Sequence, residues 1–162
     1  MTIKNFITAV TLIILIAVST WLAPLANTHA GITAVGPCSI EITSLKAGDK
    51  VGSSVTVRGK ATIPPDGNLW LLARKSSMGN QWWPQAGGPV EITSGEWEAE
   101  VYFGRAEDVG SNFDVAAVVV NAQTSAALTK WFATAKALDY PPVSFPDVNA
   151  SCSIARVKVI RN

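Results

Sequence analysis

Residues 68–85, NLWLLARKSSMGNQWWPQ, decide how this chain can fold. They begin with an apolar segment, residues 69–73, and continue through a polar loop to the adjacent pair Trp82 and Trp83. A short run that is apolar at every position and is flanked by turn-forming residues is typical of a strand buried on both faces. We therefore predict that residues 69–73 form a central strand of a β-sheet.

The tryptophan pair allows two interpretations. Neighbouring residues on a strand point to opposite faces, so at most one of the two indoles can readily enter the core. In the first interpretation both rings cover the open end of the core. In the second, one ring lies at the surface as a binding platform, because an indole offers a large apolar face together with one N–H donor.

The N-terminus carries the features of an export signal. Lys4 precedes an uncharged apolar run, residues 6–22, and the small-residue pattern THA ends at Ala30. This arrangement predicts a secretory signal peptide over residues 1–30, with an uncleaved membrane anchor as the alternative. In both cases the remaining chain, residues 31–162, is expected to be extracytoplasmic and to fold as a single domain. Contact with a membrane is expected only if the N-terminal segment is retained.

The charges and the single histidine exclude several functions. The chain has 13 basic and 12 acidic residues. Lys4 is the only one of these in residues 1–30, so removal of that segment leaves 12 basic and 12 acidic residues. No excess of basic charge is then available for nucleic acid. The same cleavage removes His29, the only histidine. Without it the chain cannot form a Ser-His-Asp triad, a Cys-His pair or a histidine-ligated zinc site.

The two cysteines, Cys38 and Cys152, are predicted to form a disulfide, because an exported protein folds in an oxidising space. They lie far apart in the sequence, unlike the closely spaced cysteines of redox motifs.

Hydrophobic periodicity predicts about seven strands and one helix. Strand patterns occupy residues 38–45, 51–63, 69–73, 90–93, 96–103, 112–121 and 153–161. In the fifth of these, Trp97 and every second residue after it are predicted to face the core. Within the second strand, Gly59 is predicted to form a β-bulge. Residues 123–138 instead have helical spacing and are expected to cover one edge or end of the sheets.

These elements predict a mainly β fold, an antiparallel β-sandwich of immunoglobulin type with one helix before the last strand. In such folds the first and last strands can run side by side in parallel. That arrangement would bring Cys38 and Cys152 to the same end.

The central part of the chain also resembles a known family. LWLLAR, WWPQ, GGPV, GEWEAEVYFG and DVG, within residues 69–120, are similar to segments of bacterial exported immunoglobulin-like domains of uncharacterised function. The resemblance implies the fold and an extracytoplasmic location. It implies no catalytic residue.

Three groups of residues were weighed for chemistry. Glu96, Glu98 and Glu100 are spaced as paired carboxylates could be, but they are expected on a solvated face. Lys75 beside Ser76 and Ser77 lacks the burial that a catalytic base needs. Glu107, Asp108, Asn112 and Asp114 could supply oxygen ligands to calcium, but their spacing does not match an EF-hand and a solvated turn is expected. Residues 149–151 match a glycosylation sequon. No catalytic residue, metal site or cofactor is predicted.

The sequence therefore favours a non-enzymatic recognition domain that binds a protein or glycan of the cell envelope. The expected ligand-binding residues are Trp82, Trp83, Gln81, Gln85 and Arg74. The alternative is a structural or assembly protein of the envelope that associates through edge strands or through the 123–138 helix.

Overall fold

The computed structural model describes residues 38–149 and 152–162. The predicted signal peptide and part of the predicted sequon therefore lie outside the described residues. Within them the chain is mainly β and has one α-helix, as the periodicity predicts. The elements are β1 (Ser39–Ile42), β2 (Lys50–Val51), β3 (Ser54–Thr62), β4 (Asn68–Lys75), β5 (Trp83–Pro84), β6 (Glu96–Tyr102), β7 (Asn112–Val120), α1 (Ala122–Ala135) and β8 (Ala155–Arg161).

The strands form two sheets. One has three strands in the order β1-β3-β6, and the other has five in the order β2-β8-β7-β4-β5. All pairs are antiparallel except β2 with β8, which run parallel. The long strands β4 and β7 lie at the middle of the five-stranded sheet, as the apolar run in β4 predicts.

One face of the five-stranded sheet packs against the three-stranded sheet. Their facing side chains form an apolar cluster that we call the inner core. In β6 the buried residues alternate with exposed glutamates, which confirms the predicted orientation of Trp97. The main members of the inner core are Ile40, Val57, Ala61, Leu69, Leu71, Ala73, Trp97, Ala99, Val101, Phe103, Phe113, Val115, Ala117, Val119 and Val159.

The other face of the same sheet is buried too. The alternate side chains of β4 and β7 pack there beneath α1 and the segments 143–149 and 152–154, in a second group that we call the outer cluster. Because both faces are covered, both strands are apolar at successive positions. The outer cluster consists of Trp70, Leu72, Trp82, Ala116, Val118, Val120 and Leu128, with Phe132, Val143, Phe145, Val148 and Ile154 partly buried against it.

The predicted disulfide is present. Cys38 and Cys152 are joined with their Cα atoms 4.8 Å apart, and their backbones form a parallel bridge. The two cysteines therefore meet at the same end, as predicted. The strand that pairs in parallel with β8 over more than one residue is β2, however, and β1 belongs to the other sheet.

Three local predictions were wrong. The predicted strand 51–63 is divided between the two sheets, because the chain leaves β2 at Gly52 and begins β3 at Ser54. Residues 90–93 make only isolated bridges, from Val90 to Leu69 and from Thr93 to Glu96. The helix covers a face of the five-stranded sheet and not its edge or end, since Leu128 packs in the outer cluster.

Gly59 is part of a regular strand and not a bulge. It pairs with Ile42 on one side and with Trp97 on the other. A Cβ atom at this position would overlap the carbonyl oxygen of Glu41 and the Trp97 ring. Glycine is therefore required because the indole lies directly against the backbone.

Candidate functional site

Trp82 belongs to the outer cluster and is only 1% exposed. The Trp82 ring meets the Phe145 ring edge to face, with 5.0 Å between their centroids. The Arg74 guanidinium lies over the Trp82 ring, 4.5 Å from its centroid. The backbone N–H and C=O of Trp82 both bond to Val143 at 2.8 Å. The expectation that Trp82 binds a ligand at the surface is therefore corrected: its side chain is enclosed and holds the 143–145 segment on the sheet.

Trp83 is oriented differently. It lies in β5, opposite Ala73, and is half-buried. Its indole Nε1–H donates to the backbone oxygen of Tyr140 at 2.7 Å. The alternation along the strand thus separates the two tryptophans, as predicted, and Trp83 is the one that reaches the surface.

Gln85 is structural. It is 7% exposed, its Nε2 donates to the Trp83 carbonyl at 3.0 Å, and its Oε1 accepts the Tyr102 N–H at 2.9 Å. The amide therefore joins the β5 edge of one sheet to the β6 edge of the other. With both ends of the amide committed, Gln85 is not available as the polar ligand contact that the sequence suggested.

Arg74 lines the cleft described next, whereas Gln81 does not. Arg74 Nε donates to Asp114 Oδ2 at 3.0 Å, and its guanidinium also bonds to the Gly79 carbonyl. Gln81 is exposed in the loop, and it does not line the cleft described next. Of the five expected residues, Trp83, Arg74 and Gln85 line that cleft, and only Trp83 offers an uncommitted apolar surface.

A cleft of about 870 Å³ opens beside Trp83. It lies between the β4–β5 region, the loop that begins after β6, and the C-terminal end of α1. This volume is within the range of small-molecule and peptide sites. Its walls are largely apolar, and the large apolar and aromatic side chains that line it include Trp83, Trp131, Phe132, Tyr140, Tyr102 and Met78.

One turn fixes the orientation of both cleft tryptophans. Trp83 Nε1 bonds to the Tyr140 carbonyl at 2.7 Å, and Trp131 Nε1 bonds to the Pro141 carbonyl at 2.9 Å. Trp131 also packs against Phe132, with ring centroids 4.8 Å apart. Since both indole N–H groups already have partners, the rings are held in place before any ligand arrives, which lowers the entropic cost of binding.

Charged pairs surround this apolar surface. Lys75 Nζ contacts Asp108 Oδ1 at 2.8 Å, and Arg105 Nη2 contacts Asp139 Oδ2 at 3.3 Å. The backbone N–H of Arg105 and the Lys75 ammonium hold the pKa of Asp108 below its ordinary value. Asp108 therefore stays ionised in its pair with Lys75.

Backbone strain also concentrates here. Among the described residues, four that are not glycine have positive φ: Ala86, Ser94, Asp139 and Tyr140. All except Ser94 line the cleft. A left-handed conformation costs roughly 1–2 kcal/mol for a residue with a side chain, and such residues cluster at functional sites. The Tyr140 N–H bond to the Ala135 carbonyl at 2.7 Å helps to hold the turn after α1 in this shape.

The glutamates of β6 do not make an acid–base pair. Glu98 bonds to Arg58 at 3.1 Å on the exposed face of the three-stranded sheet. Glu100 accepts the Tyr102 hydroxyl at 2.6 Å, and this hydrogen bond lowers the pKa of Glu100. A general acid at neutral pH needs a raised pKa, so Glu100 is unsuited to that role.

The other chemical candidates have structural partners. Asp114 accepts hydrogen bonds from both Arg74 and Lys158, and the Lys158 ammonium also bonds to Ser76 Oγ at 2.9 Å. Within residues 38–149 and 152–162, no three His, Cys, Asp or Glu side chains lie together as metal ligands would. Asp108 and Asp114, two of the four residues considered as calcium ligands, thus have ion-pair partners.

Sequence reasoning missed most of the cleft. The helical spacing of residues 123–138 gives no sign that Trp131 lines a cleft, and Tyr140 is part of no motif. The available signal was the number of tryptophans, since five of the six lie after residue 30 and a tryptophan side chain is rarely fully buried.

Comparison with known protein families and with characterised proteins found no match to this chain. Among the residues that the structure describes, no helix has the length and apolarity needed to span a membrane.

Proposed function

We propose that this protein is a non-enzymatic, extracytoplasmic recognition domain with an immunoglobulin-like sandwich fold. It binds a protein or glycan of the cell envelope in the cleft beside Trp83. The observation that carries the proposal is the pair of indoles, Trp83 and Trp131, held by one turn at the side of an 870 Å³ cleft. Preformed aromatic surfaces of this kind favour binding over turnover.

The compartment and the fold have separate support. The disulfide between Cys38 and Cys152 favours an oxidising compartment, in agreement with the export signal in the sequence. Two sheets that share the inner core, the parallel bridge at the cysteines, and the resemblance of residues 69–120 to exported immunoglobulin-like domains favour the sandwich assignment.

A binding role without catalysis is favoured by the ionisable groups of the cleft. Asp108 has a lowered pKa and an ion-pair partner, and Lys75 is that partner. A catalytic acid or base usually has a pKa shifted toward neutrality. These two groups instead have the properties of structural ion pairs at the rim of a binding site.

Single alanine variants of the cleft tryptophans test the proposal. Trp83→Ala and Trp131→Ala, with Thr56→Ala on the exposed face of the three-stranded sheet as the control, are compared on a glycan array and on purified envelope proteins. We expect both tryptophan variants to lose at least about tenfold in affinity for any ligand of the wild type, because large aromatic anchors carry most of the energy of such sites. Thr56→Ala should bind normally.

Thermal unfolding of the same variants separates binding from folding. A tryptophan variant that still unfolds cooperatively, at a temperature well above that of the binding assay, and has lost the ligand supports the proposal. Ligands that bind wild type and both tryptophan variants equally would show that the cleft is not the site.

A further inference from the structure

An ion pair joins the two walls of the cleft at its mouth. Arg105 follows β6, and Asp139 follows α1 in the left-handed turn. Their closest atoms, Nη2 and Oδ2, are 3.3 Å apart, and the two side chains are 70% and 85% exposed. An exposed pair of this kind contributes little to stability and is weakened by salt, so a ligand can displace it at small cost.

The other cations of the cleft differ in this respect. Arg74 and Lys75 bond to carboxylates that are only 14% and 18% exposed, at 3.0 Å and 2.8 Å. These tighter and more enclosed pairs belong to the fold. Arg105 is therefore the paired cation of the cleft that can most easily exchange its carboxylate for that of a ligand.

The charge of the lining favours an anionic ligand. Four cations line the cleft, Arg74, Lys75, Arg105 and Lys136, against two carboxylates, Asp108 and Asp139. The chain as a whole has 13 basic and 12 acidic residues, so this excess of two is local. A cleft with low-polarity walls concentrates the field of such an excess.

The apolar lining favours a peptide over a sugar. Sugar hydroxyls need amide or carboxylate partners beside the aromatic platform. The amide that lines the cleft, Gln85, is buried and bonds to Trp83 and Tyr102. The two carboxylates, Asp108 and Asp139, bond to Lys75 and Arg105. Met78, 39% exposed at the rim, is the flexible kind of side chain that adapts to varied apolar peptide groups.

We propose that the cleft binds a peptide segment in which apolar side chains stand next to a carboxylate. The apolar side chains lie against Trp83 and Trp131, and the carboxylate replaces Asp139 on the Arg105 guanidinium. This inference rests on the proposed function, and it names the ligand class of that same cleft.

Three peptide arrays test the inference on the purified protein. In the first, pentapeptides have a central Glu preceded by every pair drawn from Leu, Ile, Met, Phe, Tyr and Trp. In the second and third, Gln or Lys replaces the Glu. We expect the Glu peptides to bind about three- to fivefold more tightly than the Gln peptides, and the Lys peptides to bind weakest. High salt should reduce this preference.

Variants of the two residues test whether the ion pair causes the preference for Glu peptides. Arg105→Gln should bind Glu and Gln peptides equally, while retaining the apolar part of the affinity. Asp139→Asn should strengthen binding of the Glu peptides, because it removes the competing carboxylate. Arg58→Gln is the matched control: Arg58 forms a similarly exposed pair with Glu98, at 3.1 Å, on the three-stranded sheet. This variant should behave as the wild type.

The outcomes distinguish this inference from the proposed function. Equal binding of Glu and Gln peptides, or a preference for Lys peptides, would overturn the acidic ligand while leaving recognition by the cleft intact. Binding of acidic glycans with no binding to any peptide array would overturn the peptide class alone. No binding to any array or glycan would remove the proposed function as well.

Discussion

The two faces of the five-stranded sheet are buried in different ways. The inner core is enclosed by a second sheet whose strands supply alternating side chains from regular ladders. The outer cluster is enclosed by α1 and by the segments 143–149 and 152–154, which are attached mainly through single contacts such as the bridge between Trp82 and Val143. Both faces exclude water, but the outer one depends on fewer backbone hydrogen bonds.

Polar groups follow the same division. The buried polar side chains of the described residues are Gln85 and Ser125; Gln85 borders the cleft, and Ser125 accepts the Trp70 Nε1–H at 3.0 Å. In the inner core, by contrast, Trp97 Nε1 has no hydrogen-bond partner within residues 38–149 and 152–162. The inner core is thus held by packing, whereas the outer cluster is held by specific hydrogen bonds as well. The binding cleft forms on the side of the outer cluster.

Removal of the disulfide is expected to have the largest effect, because it closes almost all of the described chain into one loop. Cys38 precedes β1 of the three-stranded sheet, and Cys152, 114 residues later, packs with it in the inner core. For a loop of this length, the double variant Cys38→Ala with Cys152→Ala should lose about 4–5 kcal/mol of unfolding free energy. Urea denaturation measures the loss. A loss below about 1 kcal/mol would mean that the unfolded chain is not restricted by the bond.

The neighbouring tryptophans provide the next comparison. Trp82→Ala opens a cavity in the outer cluster and should cost about 3–5 kcal/mol, as expected for a fully buried large side chain. Trp83→Ala removes a half-buried ring and should cost roughly 1–2 kcal/mol. Urea denaturation of the two variants gives the ratio. Equal losses would contradict the division between a structural and a surface tryptophan.

Replacement by phenylalanine tests the hydrogen bonding of the two faces. Trp70→Phe leaves the buried Ser125 hydroxyl without its donor and should cost about 1–3 kcal/mol. Trp97→Phe removes a donor that has no partner among the described residues, so its cost should be smaller by about 1 kcal/mol. Both changes delete the same atoms, which makes each variant the control for the other. A larger loss at Trp97 would show that packing dominates both sites.

The same division explains what the sequence could predict. Strand alternation is a local property, so the burial of Trp97 and the central position of β4 follow from the order of the residues. The disulfide follows from the count of cysteines. The cleft instead combines residues from segments far apart, including Trp83, Arg105 and Tyr140, and no local pattern indicates that they meet. Helical spacing likewise predicts the existence of α1 but not the face that it covers.

Errors at the site have the same cause. Trp82 is aromatic and Gln85 is polar, and both lie in a stretch that resembles a loop. From the sequence alone, this context favours an exposed position for both side chains. In the structure the Trp82 bridge to Val143 and the Gln85 bond to Tyr102 join parts of the chain that are 61 and 17 positions away. Such long-range partners decide burial, and the periodicity of a short segment contains no information about them.

Acid should weaken the ion pair between Asp114 and the cleft residue Arg74 before it affects either apolar region. Burial alone would raise the pKa of Asp114, but hydrogen bonds from Lys158 and Arg74 outweigh burial and hold its pKa below the ordinary value of 3.8. A carboxylate whose folded pKa is lowered stabilises the protein above the unfolded pKa, and this stabilisation is lost as the pH falls through the folded value. The unfolding free energy of the wild type should therefore decrease as the pH falls through about 4 and below.

Two amide variants test which carboxylate causes this pH dependence. Of the effects predicted here, the change in stability with pH is expected to be the smallest. Asp114→Asn should flatten the decrease at low pH, and it should lower stability at neutral pH because Arg74 and Lys158 lose their shared anion. Glu100→Gln is the matched control, because the pKa of Glu100 is lowered by the Tyr102 hydroxyl on a fully exposed face where water screens the interaction. Urea denaturation across the acid range gives the slopes. If Glu100→Gln flattened the dependence of the unfolding free energy on pH as much as Asp114→Asn, the acid sensitivity would belong to the exposed sheet surface and not to the ion pairs of Asp114.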